Sequence, residues 1–165
     1  VATAAQRAHV QHILAFLYEH RAQLDYPPGD VRGPIDAAQW HLTEHHADVL
    51  LEHGGRMMFD CSQCAAWVWR CAGLWPWSQP GWTGSDLALA AFPHYADARQ
   101  ALPGAGVVFG RPPGHHMALV WEADRAHGNP LLGSHGRPGF DRISLHDLAA
   151  GQPPGITFLS IAHIG

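Results

Sequence analysis

The chain has no lysine at all: its ten basic residues are all arginine, set against 14 acidic ones for a formal net charge of -4. That balance leaves no basic footprint for nucleic acid, so a nucleic-acid partner is not expected. The missing lysine reads as coding bias in a GC-rich genome, not as a physical requirement. Charge is sparse as well, 15% of residues against 47% hydrophobic, which excludes a disordered chain and leaves enough apolar surface for a core. No apolar run is long enough to span a bilayer, and no membrane partner is expected. The first residues also lack the basic-then-apolar pattern of a signal peptide, so action outside the cell needs delivery by something other than this segment. Cysteine is scarce, with only Cys61, Cys64 and Cys71, crowded into one short segment. An odd, clustered set of that kind is no disulfide framework, and at least one thiol stays free.

What is abundant is histidine, 14 residues in a chain of 165. Most, such as His9, His12, His20, His41 and His53, are scattered over segments that read as solvent-facing helix, and no metal or cofactor is expected from them. The length fits one domain, residues 1–165, with no internal repeat and no linker.

The first half reads as helical. Val10, Ile13, Leu14, Leu17 and Tyr18 make an apolar stripe over residues 6–22. Tyr26 to Pro34 is a Pro/Gly-rich loop. Asp36 with Gln39 resembles a capping box that starts a second helix running to about Leu51, broken by Gly54 and Gly55. In FDCSQCAAWVWRCAG, Asp60 is an N-cap, Gln63 completes a capping box and Gly73 is a stop, with Cys61, Cys64, Ala65, Val68, Cys71 and Ala72 on one face. A Trp/Pro-rich loop over 74–83 and a short helix over 85–91 follow. After Pro103-Gly104 the character changes. Short strands are predicted at 107–109, 117–122, 131–134 and 157–162, with another at 141–145. Helices first and strands second indicate an α+β domain on a small antiparallel sheet.

A thiol acts as a nucleophile only as thiolate, and a helix N-terminus favours the anion through its dipole and free amides. Cys61 stands at the predicted first helical position, where the same amides can hold an oxyanion. Its base must come from another element, oriented by a third polar group. His116 opens the apolar strand HMALVW and His135 closes PLLGSH. Adjacent antiparallel strands would set the start of one beside the end of the next, with His135 orienting His116.

The ordered set "DCS" on a helix, "PG" before an apolar strand, "H" opening a strand and "H" ending the next resembles the NlpC/P60 peptidases. These are papain-like cysteine peptidases that cut the peptide stems of bacterial peptidoglycan. The matching pieces are FDCSQCAAWVWRCAG, LPGAGVVF, HHMALVW and PLLGSHG, and the likeness spans about Tyr26 to Leu145. The resemblance implies Cys61 as nucleophile, His116 as base and His135 as third member, with no cofactor. It also implies a tyrosine beside the nucleophile, for which Tyr26 is the candidate. The texture YPPGDVRGPID, GWTGSDL and SHG is similar to versions in phages of actinobacteria, in endolysins or tail-associated wall hydrolases. The implied site of action is the bacterial cell wall, the partner a peptidoglycan stem peptide, and the chain a monomer or one domain of a larger hydrolase. The sequence departs from the family pattern at Ala105 and Gln63, where Asp and Gly are usual. The connection EADRAHGNP is longer than usual, which leaves Asn129 and His127 as alternatives for the third residue.

Other readings compete. Cys61 and Cys64 form a C-x-x-C, but no βαβ unit surrounds it for a redox motif, and no second ligand pair completes a zinc site. Cys64 and Cys71 read as core. His115 and His116 point to opposite faces of a strand, so only one can serve; the family alignment selects His116 and leaves His115 exposed. Trp67 and Trp69 read as packing residues, Trp82 as a groove candidate, and Asp60 and Ser62 as caps with a second role in holding the stem's amine or carboxylate. The functional alternatives are an amidase or acyltransferase of the same fold on another amide, or a non-catalytic wall-binding or zinc-stabilised module.

Overall fold

Thr3 starts the first helix. Its hydroxyl accepts the Gln6 amide N–H while the Gln6 side chain accepts the N–H of Thr3, and α1 (Ala4–Glu19) follows. The computed structural model describes residues 2–27, 42–75, 92–111 and 114–160. The apolar stripe of α1 is buried as its spacing predicts, at Val10, Ile13, Leu14 and Leu17. The helix ends three residues earlier than expected, because Arg21–Gln23 tighten into a 3₁₀ turn that feeds the two-residue strand β1 (Leu24–Asp25).

The second helix, α2 (Glu44–Glu52), is capped by the Thr43 hydroxyl. The expected cap at Asp36 and Gln39 lies outside the described residues, as do Trp82 and the helix expected over 85–91. After α2 the chain pairs back on β1 through β2 (Met57–Met58), a parallel two-stranded sheet with Leu24 opposite Met57 and Asp25 opposite Met58. Gln23 locks this return by donating from Nε2 to the carbonyls of Leu51 and Gly55, each at 2.8 Å.

Helix α3 (Cys61–Cys71) starts and stops where local signals put it, from Asp60 with Gln63 to Gly73 at φ 70°. Its burial is wider than a single apolar face, for residues 62–70 are buried all round. The reason is its central position between α1 and strand β5 (His116–Glu122). Trp67 and Trp69 close its remaining sides, and their indole N–H groups donate to the carbonyls of Leu42 and Gly104, each at 2.9 Å. Fully burying such side chains contributes at least roughly 2 kcal/mol each, which makes α3 the centre of the main core.

The second half folds as an antiparallel sheet. Its strands are β3 (His94–Tyr95), β4 (Gly106–Phe109), β5, β6 (Leu131–Gly136), β7 (Gly139–Ser144) and β8 (Ile156–Leu159), in the order β3-β8-β4-β5-β6-β7. The α+β class and the antiparallel sheet are as expected. Strand β3 and the short helix α4 (Leu145–Ala150), capped by Ser144, are additional. Strand β6 runs to Gly136, so His135 is the next-to-last residue of its strand, one short of closing it.

One register decides where the site residues point. Leu119 stands opposite Gly133 and Val120 opposite Leu132. Alternation then puts residues 117, 119, 133 and 135 on one face and 116, 118, 132 and 134 on the other. The packing agrees: Met117 and Leu119 join the core of α1 and α3, while Ala118, Val120 and Leu132 join a second core under α4.

Candidate active site

Asp60 organises the first turn of α3. Its Oδ1 accepts the Gln63 amide N–H at 2.8 Å and the Ser62 hydroxyl at 2.9 Å, and its own N–H donates to Gln63 Oε1 at 2.9 Å. Both Asp60 and Ser62 are nearly buried and spend these atoms on the helix start, so capping is the role the contacts display. Cys61 follows as the first residue of the helix, half-buried and with its thiol free.

Three donors converge on that sulfur: the Tyr26 hydroxyl, the Met117 amide N–H and the Ser62 amide N–H. Tyr26 reaches it because β1 pairs with β2, which delivers the residue after Asp25 to the helix tip. The Tyr26 oxygen in turn accepts the Cys61 amide N–H. These donors lower the thiol pKa, but burial and then the Asp60 carboxylate outweigh them, and the net shift is upward. Cys61 is therefore a protonated thiol at neutral pH.

Met117 is the residue after His116, so the thiol lies one peptide unit from the first residue of β5. His116 is half-buried; burial, with smaller effects of His115 and His135, pulls its pKa down to about 4. The imidazole is neutral at pH 7, the state a general base requires. Its Nε2 lies 2.8 Å from Oγ of Ser134. His135, expected as that partner, faces the other side of the sheet. Its Nε2 lies 2.9 Å from the Asp25 carbonyl, its ring centroid is 5.6 Å from that of Tyr26, and Phe59 and Phe140 each approach to 6.3 Å. Burial lowers its pKa against the pull of the Asp25 and Phe59 carbonyls.

The alternatives for the third residue are engaged elsewhere. The Asn129 side chain accepts the His146 amide N–H at α4, and exposed His127 caps back on Asp124. His115 is exposed, as expected. Cys64 is buried deeper along α3, and Cys71 has a pKa pushed up to about 12 by burial and Glu44. Neither lies at the tip of the helix, where Cys61 stands. His9 and His12 both approach the Glu44 carboxylate. Among the described residues, however, no group of three or more His, Cys, Asp or Glu side chains is arranged to hold a metal ion. No helix among them is long and apolar enough to cross a membrane.

Sequence reading missed Ser134. A serine inside a strand carries no signal of its own, and only the β5–β6 register, which pairs Leu119 with Gly133, brings it to His116. No protein-family model matches the chain, and no curated protein matches it.

Proposed function

We propose that this chain is a papain-like cysteine hydrolase of amide bonds, and that its substrate is the peptide stem of bacterial peptidoglycan. The observation that carries the reaction class is the Cys61 thiol at a helix N-terminus, held by the Tyr26 hydroxyl and the Met117 amide, one peptide unit from a neutral His116. The substrate class rests on the likeness of FDCSQCAAWVWRCAG, LPGAGVVF, HHMALVW and PLLGSHG to the NlpC/P60 pattern.

In this reading His116 takes the thiol proton as Cys61 Sγ attacks the carbonyl carbon of the scissile amide. The oxyanion that forms accepts hydrogen bonds from the Cys61 amide N–H, which at rest donates to the Tyr26 oxygen, and from the Tyr26 hydroxyl, which at rest donates to the sulfur. His116 passes its proton to the leaving nitrogen and the C–N bond breaks, leaving a thioester on Cys61. Water, deprotonated by His116, then attacks the thioester; the acid departs and Cys61 regains its proton. No cofactor takes part.

The test is digestion of purified actinobacterial peptidoglycan by the wild type and by Cys61→Ala, with fragments identified by mass spectrometry. Stem cleavage by the wild type alone is the expected result, and the fragment masses name the bond. Absence of cleavage by a folded wild type, on sacculi and on soluble muropeptides, overturns the peptidoglycan reading.

A further inference from the structure

His135 and Ser134 compete for the role beside His116, and the geometry separates them. The Asp25 carbonyl can only accept, so the His135 Nε2 facing it must carry the proton and is committed there. The same carbonyl also accepts the Phe59 amide N–H at 3.1 Å, which ties β1, the approach to α3 and β6 into one knot directly before Tyr26. His135 Nδ1 is buried with no hydrogen-bond partner among the described residues, and its face is the one turned away from His116. Ser134 is different. It is 5% exposed, shares the His116 face, and brings its hydroxyl within 2.8 Å of Nε2.

We propose that Ser134, and not His135, is the positioning residue for His116: its Oγ accepts Nε2–H, so that Nδ1 carries the lone pair that takes the Cys61 proton. His135 is a strut that fixes Tyr26 against the nucleophile. The proposal rests on the functional reading above in naming His116 the base, but the pairing itself does not depend on the substrate. A hydroxyl can donate or accept; accepting from Nε2–H, it orients the ring without offering a negative charge to the imidazolium, unlike a carboxylate partner. The bond therefore orients a base that is neutral at rest and releases its proton readily.

Imidazole nitrogen NMR on the full chain tests this in wild type, Ser134→Ala, Ser134→Thr and His135→Gln, with peptide mapping of Cys61 alkylation by iodoacetamide across pH. The expected wild-type spectrum has His116 as the Nε2–H tautomer alone. Ser134→Ala should show mixed tautomers, a shifted pH profile of Cys61 alkylation and, on a cleavable peptide, a kcat lower on the order of 10-fold with KM unchanged; Ser134→Thr should restore all three. His135→Gln should leave the His116 tautomer intact while altering the Tyr26 ring signals. An unchanged His116 spectrum in folded Ser134→Ala overturns the proposal, as does loss of the tautomer in folded His135→Gln. Should His135→Gln fail to fold, the Ala and Thr pair at Ser134 decides by itself. A wild type that cleaves no peptide would sink the functional reading while leaving the tautomer result to stand or fall independently.

Discussion

Ser134 Oγ and His116 Nε2 lie 2.8 Å apart on neighbouring antiparallel strands, on the sheet face that His135 does not share. The pair lies on one face of the sheet; the knot of Asp25, Phe59 and His135 lies on the other, the face on which Met117 and Leu119 share a core with α3 and Cys61. Each side has a separate task. The strand pair presents a neutral imidazole, and the knot presents the Tyr26 hydroxyl to the sulfur.

Tyr26→Phe separates the hydroxyl from the ring. The phenyl ring keeps its place against His135, 5.6 Å between centroids, but the donor to Cys61 Sγ is gone. The Cys61 pKa should rise, because the hydroxyl is one of the groups that lower it, and alkylation at neutral pH should slow. On a cleavable stem peptide kcat should fall on the order of 100-fold, the typical loss of one oxyanion donor, with melting temperature little changed. Steady-state kinetics beside a thermal melt checks this, and a kcat within a factor of two of wild type would remove Tyr26 from the mechanism.

The helix that carries Cys61 was legible in the sequence because its signals are local: Asp60, Gln63 and Gly73 cap and stop it within the same stretch. The class of the second half was legible for the same reason, from apolar runs between Gly/Pro turns. The partner of His116 was not. That choice depends on register, and sliding β6 by one residue would exchange Ser134 for His135 on the face of His116. Tyr26 was reached through family resemblance alone, since the two-residue strands β1 and β2 are too short to show any periodicity. Trp67 and Trp69 were readable as packing residues, but not that they close the sides of a helix buried all round.

Acid should weaken the fold through the same histidines that form the site. The His116 pKa is near 4 in the folded chain, against about 6.5 for an unfolded one, because burial disfavours the cation. The unfolded state therefore binds more protons between those values, and stability falls as pH drops through that window. Above it the full stability is present. The shift corresponds to roughly 3 kcal/mol for His116, and His135 adds to it with the same sign. Urea unfolding at pH 7 and pH 5 should show the loss, and His116→Gln should flatten the slope. An equal slope in the variant would place the acid sensitivity elsewhere.

Gly106 sits where the sheet meets α3, the helix that carries Cys61. A Cβ there would come within 3.0 Å of Leu159, 3.1 Å of Met117 and 3.1 Å of Trp69, all buried side chains. Gly106→Ala should overpack this layer and cost about 1–3 kcal/mol, seen as a drop of several degrees in melting temperature. Because Met117 also supplies an amide to Cys61, the variant should lose activity beyond its loss of folded fraction. A variant as stable as wild type would mean that the layer is looser than these distances describe.

Asp60 both builds the site and restrains it. Its carboxylate caps α3, yet it is the second cause, after burial, of the raised Cys61 pKa. Asparagine is an equally good N-cap and carries no charge. Asp60→Asn should thus retain the helix start, with Asp60 N–H to Gln63 Oε1 unaffected, while the Cys61 pKa falls. Alkylation of Cys61 at pH 7 should become several-fold faster, read by peptide mapping so that Cys64 and Cys71 are counted apart. Asp60→Ala removes the cap as well and should cost about 1 kcal/mol more in stability than Asn. If Asn leaves the alkylation rate unchanged, burial alone sets the thiol, and the helix tip would then be tuned by relieving that burial and not by altering its charge.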